Sequence, residues 1–153
     1  AVRRLGPIEH LTEEEWEESV AVNLSAVFYL TRWAVPYLQG TGGTIVFVGS
    51  HAGVHFFDGG AAYCATKAAV HAFSEVALQE LRERGVRCVL LVCGAIANRP
   101  LPGNEFKLKP EDVARAVLDI VELPQEVLPS LLELRPTRPK PSPFSGIERL
   151  QSL

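Results

Sequence analysis

Gly42-Gly43-Thr44-Ile45-Val46-Phe47-Val48-Gly49-Ser50 is the stretch on which the fold turns. Two glycines lead into an unbroken β-branched and aromatic run, and a glycine and a serine end it. An apolar run without polar alternation reads as a strand covered on both faces, the habit of parallel sheets. Downstream, a loop with Gly53, Gly59 and Gly60 leads to an alanine-rich helix over about Ala61 to Arg84, closed by Gly85 at its C′ position. Val86 to Val92 reads as a second buried strand, and Cys93 to Lys109 as a loop punctuated by Pro100, Pro102 and Gly103. Pro110-Glu111-Asp112 opens a third helix, to about Val121, and Ser130 to Leu134 forms a short last strand.

Upstream, Ala1 to Leu11 is loop-like, with Gly6 and Pro7 as breakers. Thr12 followed by Glu13, Glu14 and Glu15 is a capping-box signature whose carboxylates suit the positive end of a helix dipole. Apolar residues then keep helical spacing to about Gln39, with Pro36 kinking or tightening the last turns. Helix, strand, helix, strand, helix, strand predicts right-handed crossovers and an α/β fold with a parallel sheet. A doubly wound sheet normally has five strands or more, so three look incomplete, with an exposed edge at Thr44 to Val48. From Pro136 onward, Pro136, Pro139, Pro141 and Pro143 make the tail an extended arm.

Composition removes several classes of function. At 153 residues, 47% hydrophobic and 22% charged, the chain has the size and apolar content of one domain and too much core for disorder. A net charge of −3 and a pI near 5.8 argue against a general grip on nucleic acid. No apolar stretch reaches the ~20 residues of a membrane span, and the opening has no signal-peptide pattern, so a cytoplasmic location is expected. Cys64, Cys88 and Cys93 lack the number and spacing of a disulfide framework or zinc site, and the four histidines form no metal-type arrangement. Ser50 next to His51 does not make a hydrolase elbow, because Val48 and Ala52 stand where G-x-S-x-G needs glycine.

Sites in parallel sheets lie at the carboxyl ends of strands. Two loops leave such ends here, Gly49 to Gly60 and Cys93 to Lys109. The first starts with Ser50 and delivers Tyr63 and Lys67, four residues apart and hence on one helix face. A lysine ammonium close to a phenol favours the phenolate, so the pair suits general acid–base work. Ser50 is placed to hydrogen-bond the same substrate oxygen. Surface Tyr–Lys neighbours are common, and only the placement after a strand-end serine and a glycine loop lifts this pair above them.

Val22-Asn23-Leu24, Gly42 to Ser50, Ala61-Ala62-Tyr63-Cys64-Ala65-Thr66-Lys67-Ala68-Ala69 and Glu111 to Val117 together resemble the short-chain dehydrogenase/reductase family. The resemblance implies a Rossmann-type fold and an Asn, Ser, Tyr, Lys tetrad, met here by Asn23, Ser50, Tyr63 and Lys67. It implies that Tyr63 passes a proton to or from a carbonyl or hydroxyl oxygen that Ser50 holds. Lys67 would bind the nicotinamide ribose, and Asn23, at a bend in the first helix, would hold a water linking Lys67 to solvent. The expected cofactor is NAD or NADP, contacted by Tyr63, Lys67, Cys93, Gly94, Ile96 and Asn98. The family usually has Pro-Gly and then threonine after this strand, where this chain has Cys93-Gly94 and Asn98; Cys93 itself reads as a plain buried thiol.

The family's Gly-rich phosphate turn has no counterpart. Gly40 to Gly43 follows a helix and precedes a strand, the reverse of a phosphate cradle. Residues 1–135 are therefore expected to be the C-terminal half of a Rossmann-type domain, with 136–153 a proline-rich tail. The expected activity is interconversion of a small secondary alcohol and its ketone. The rival is a non-catalytic interaction module of the same fold that binds no dinucleotide. His51, Phe56, Phe57, Leu101 and Phe106 are candidates to line a substrate pocket, against the plainer reading of loop and core residues. Pairing of the two long helices into a homodimer or homotetramer is expected, with the alanine-rich face of Ala61 to Ala72 allowing close approach.

Overall fold

The computed structural model describes residues 1–138. The proline-rich arm therefore lies, from residue 139 on, outside the described residues. Helix α1 (Glu13–Val20) starts on the expected capping box: Thr12 Oγ1 accepts from Glu15 N at 3.2 Å, and Thr12 N donates back to Glu15 Oε2. One π-helical turn, Ala21–Ser25, separates it from α2 (Ala26–Leu38). The bend expected at Asn23 is this turn. Pro36 lies in the last turn of α2, and the backbone is extended again at Gln39.

Strand β1 (Thr44–Val48) is followed by a single 3-10 turn at His51–Gly53 and by α3 (Ala61–Leu81). A further 3-10 turn, Arg82–Arg84, carries the chain to Gly85, whose φ of +74° ends the helix in the left-handed region. Strand β2 (Arg87–Cys93), helix α4 (Pro110–Glu122) and strand β3 (Leu131–Leu134) complete the order. Proline opens α4 at its first turn, as expected.

The three strands form one parallel sheet in the order β1-β2-β3, with Thr44 opposite Arg87 and Leu90 opposite Leu131. All seven residues of β2 are buried. Alternation divides them: Cys88, Leu90 and Val92 join Val35, Phe47, Val70 and Leu78 in one core, while Val89, Leu91 and Cys93 meet Ile120 in another. Helices α2 and α3 thus cover one face of the sheet and α4 the other, so the absence of polar alternation in β2 follows from its having no wet face.

Arg87 begins β2 and is only 6% exposed. Its guanidinium donates to the carbonyls of Val121, Leu123, Pro124 and Val127, and to Thr44 Oγ1. A full positive charge therefore closes the carbonyl-rich end of α4, where the helix dipole is negative. On the other side of the sheet, β1 pairs only with β2 and leaves its outer edge open among the described residues. Val27, Leu30, Thr31 and Ala34 of α2 face that edge across an apolar trough of about 250 Å³ that reaches Lys67.

Candidate functional site

Site residues gather where β1 and β2 end. Lys67 leaves α3 inward and is 8% exposed, with its Nζ donating to the carbonyl of Val48 at 3.1 Å. Burial pulls its ammonium below the usual lysine range, and proximity to Cys93 opposes that only in part. No carboxylate pairs with it among the described residues. An ammonium has three donors and Lys67 has spent one, so it is a buried cation with donors to spare. Two residues past Val48, Ser50 is extended and half-buried, and its Oγ accepts from Ala52 N at 3.2 Å. That bond uses an oxygen lone pair and leaves the hydroxyl proton free to donate. Tyr63 stands in the first turn of α3, half-buried, on the same helix face as Lys67.

Asn23 is buried in the π-turn, and its carboxamide is spoken for more fully than expected. Oδ1 accepts from Val2 N at 2.7 Å, while Nδ2 donates to Val2 O at 2.8 Å and to Thr66 Oγ1 at 3.2 Å. Both amide protons and one lone pair are thus committed to holding Val2 and α3 together. The side chain works as a clamp between Val2 and Thr66, and one Oδ1 lone pair stays free of protein partners. Thr66 was legible in Tyr63-Cys64-Ala65-Thr66-Lys67 but carried no assigned role; its hydroxyl bridges Asn23 to the carbonyls of Ala62 and Tyr63.

Cys93 ends β2 fully buried, and burial pushes its thiol up while Lys67 opposes. Gly94 follows, with its N–H on Leu134 O at 2.9 Å. Ile96 forms a bridge with Leu108 and packs its side chain into the α4 core. Asn98 is exposed. Phe56, Phe57 and Leu101 are exposed as well, Phe106 is half-buried in a 3-10 turn, and none of them lines the trough along β1. His51 is engaged elsewhere: its Nε2 lies 2.6 Å from Glu133 Oε1, and its ring meets His55 edge-on. Glu133 is held below the usual carboxylate range by Arg135 first and His51 second. His71 packs its Nε2 against Gly49 and Gly53, where any Cβ would stand within 2.8 Å of it. Only glycine permits that approach. Arg3, in the loop-like opening segment, places its guanidinium carbon 5.8 Å from the Tyr63 ring centroid. No pattern in the sequence marks it, because the contact joins residues 60 positions apart.

The family model described as short chain dehydrogenase matches residues 1–104. The chain belongs to the short-chain dehydrogenase family. A 2,5-dichloro-2,5-cyclohexadiene-1,4-diol dehydrogenase, LinX, of Sphingobium indicum is 40% identical over 100 residues, covering 65% of this chain and 40% of the relative. An uncharacterised oxidoreductase of Staphylococcus aureus is 30% identical over 128 residues, or 80% of this chain and 55% of the relative. Among solved short-chain dehydrogenase neighbours, serine dehydrogenase from Escherichia coli superposes with a TM-score of 0.78 at 31% identity, over 89% of this chain and 59% of the other. The Thermococcus sibiricus alcohol dehydrogenase complexed with 5-hydroxy-NADP reaches 0.83 at 28% identity, over 93% and 62%. The chain thus spans about half the length of the curated relatives it matches. Its three parallel strands and flanking helices are the Rossmann-type fold expected.

The residues present fit one end of a nicotinamide dinucleotide. Lys67 is a buried cation with two unspent donors, and vicinal ribose hydroxyls are acceptors that would use them. Among the described residues no three His, Cys, Asp or Glu side chains are grouped to hold a metal ion, and no helix is long and apolar enough to cross a membrane.

Proposed function

We propose that this chain carries the catalytic residues of an NAD- or NADP-dependent oxidoreductase that interconverts a small secondary alcohol and its ketone. The observation that carries the reading is Lys67: a buried, acid-free ammonium anchored on Val48, one helical turn past Tyr63 and at the end of the strand that Ser50 follows by two residues. A buried charge without a counter-ion weakens a fold, and a site that needs a cation accounts for its being kept. Ser50 donates its free hydroxyl proton to the substrate oxygen. Tyr63 takes the proton from that oxygen when an alcohol is oxidised and returns it when a ketone is reduced. Lys67 orients the ribose and keeps positive charge near the phenol. The nicotinamide, when bound, accepts or supplies the hydride. Asn23 and Thr66 position α3 by tying it to the π-turn and to Val2.

Residues 1–135 make up the C-terminal half of a Rossmann-type domain on this reading, which the open edge of β1 supports. The dinucleotide contacts are those of Tyr63, Lys67, Cys93, Gly94, Ile96 and Asn98, Ile96 through its backbone. The protein is cytoplasmic, in keeping with three unpaired cysteines. It assembles as a homodimer or homotetramer through α2 and α3, whose outer sides expose Phe28, Tyr29, Trp33, Tyr37 and Val76. Oxidation of 1-phenylethanol with NAD or NADP, followed at the nicotinamide absorbance, tests the chemistry. Tyr63→Phe should lower kcat by at least ~10², the share of a general acid–base group. Equal turnover by both proteins would overturn the assignment.

A further inference from the structure

Arg3 is tied down on both sides. The backbone of Val2 is gripped in both directions by Asn23, at 2.7 and 2.8 Å. Gly6 N donates to Gly59 O at 2.9 Å, and Arg4 pairs with Glu18 at 2.6 Å. A segment near the start of the chain is thereby fixed against the loop that delivers Tyr63. Arg3 is the residue this anchoring holds over the tyrosine ring, with Cζ 5.8 Å from the centroid. Among the described residues Arg4, Arg115 and Arg135 pair with carboxylates, Arg87 with carbonyls and Arg84 with Gln39; Arg32, Arg82 and Arg99 have no such partner either, but only Arg3 stands over an aromatic ring of the site. Arg3 has no carboxylate or hydrogen-bond partner among the described residues and is exposed. Five donors in a planar fork match a carboxylate in two-point contact, and an aromatic face below fixes the plane of the fork.

We infer that Arg3 is a specificity residue that selects substrates bearing a carboxylate a few bonds from the carbinol carbon, so that the alcohol oxidised is a small hydroxy acid. The inference rests on the proposed alcohol–ketone chemistry at Tyr63. The carboxylate is a handle only: hydride leaves the carbinol carbon for the nicotinamide, the hydroxyl proton goes to Tyr63, and the carboxylate is unchanged. The short separation of guanidinium and ring keeps the spacer short. Dinucleotide phosphate offers the same oxyanion chemistry. Arg3 stands over Tyr63 and beside the loop ending at Gly59, and titration with pyrophosphate separates the two sources.

The test uses the full chain with labelled arginine side chains, titrated with 3-hydroxybutyrate, with methyl 3-hydroxybutyrate as the uncharged control and with pyrophosphate as the cofactor-type anion. A saturable shift of the Arg3 Nε–H signal is expected with the hydroxy acid and not with the ester. Arg3→Met should weaken hydroxy-acid binding at least tenfold. Where the enzyme turns over, the ratio of kcat/KM for acid over ester should fall at least tenfold in that variant, with the KM for dinucleotide moving less. Equal binding of acid and ester overturns the inference, as does saturation by pyrophosphate alone, which would give the anion to the cofactor. Turnover of 1-phenylethanol without any Arg3-dependent binding of 3-hydroxybutyrate defeats this inference alone. Arg3-dependent binding without redox turnover defeats the alcohol–ketone reading and keeps the anion seat.

Discussion

Lys67 and His71 are neighbours on α3, and both are pushed toward their neutral forms by burial. For Lys67 the proposed function makes this penalty one carried on behalf of the site. Lys67→Met removes a buried charge, so the thermal midpoint should hold or rise while turnover drops at least tenfold. A fall in both would mean that the lysine is a structural member of the fold. For His71 burial is the largest influence, the nearby Lys67 charge adds to it and a Ser50 backbone contact opposes it. A histidine whose folded pKa lies below its unfolded value of about 6.5 binds a proton more readily when the chain unfolds. Stability is then complete above pH 6.5 and declines as the pH falls below it. The urea midpoint should therefore drop between pH 7 and pH 5, and His71→Gln should flatten that part of the curve. Tyr63 and Lys67 were legible from spacing because four positions on a helix fix a shared face. Arg3 was not, since no period relates a loop residue to a helix that arrives sixty positions later.

At the level of elements, the strands and helices followed from pattern because each has a local cause. Thr12 with Glu15 caps α1, Pro110 opens α4, and the polar-free run in β2 matches a strand with two buried faces. The element boundaries moved by one to three residues where a long-range contact decides them. Strand β2 starts at Arg87 rather than Val86 and runs to Cys93, its first residue anchored by the carbonyls that end α4. That anchor was hidden, as an arginine at a strand start looks like any surface charge until the helix end is placed beside it. Arg87→Met would strand four carbonyls and should cost about 2–4 kcal/mol, the scale of charged hydrogen bonds lost from a buried site. Urea unfolding would show this as a lower midpoint at unchanged slope. A loss below 0.5 kcal/mol would show the guanidinium to be dispensable.

Over the whole molecule, the apolar surface is unevenly distributed. Tyr37 is 82% and Trp33 63% exposed, and Ala65, Ala72 and Val76 lie exposed along one line of α3. The alanines leave room for a second helix, and the aromatics supply the contact area that such an interface needs. Trp33→Asp should halve the mass seen by sedimentation equilibrium if α2 and α3 form the contact between copies, and an unchanged mass would exclude it. The shape of the sheet was readable from motif order, whereas the unevenness of its surroundings required coordinates. The tie at Asn23 bears on how such a molecule closes. Val2, Asn23 and Thr66 lie far apart along the chain, yet one carboxamide holds all three. Bringing them together closes loops of 21 and 43 residues at an entropic cost that no single segment recovers. The amide proton of Val2 is locked on Asn23 Oδ1 once the opening segment meets the π-turn, so its exchange with deuterium serves as a clock for the opening of this corner of the fold.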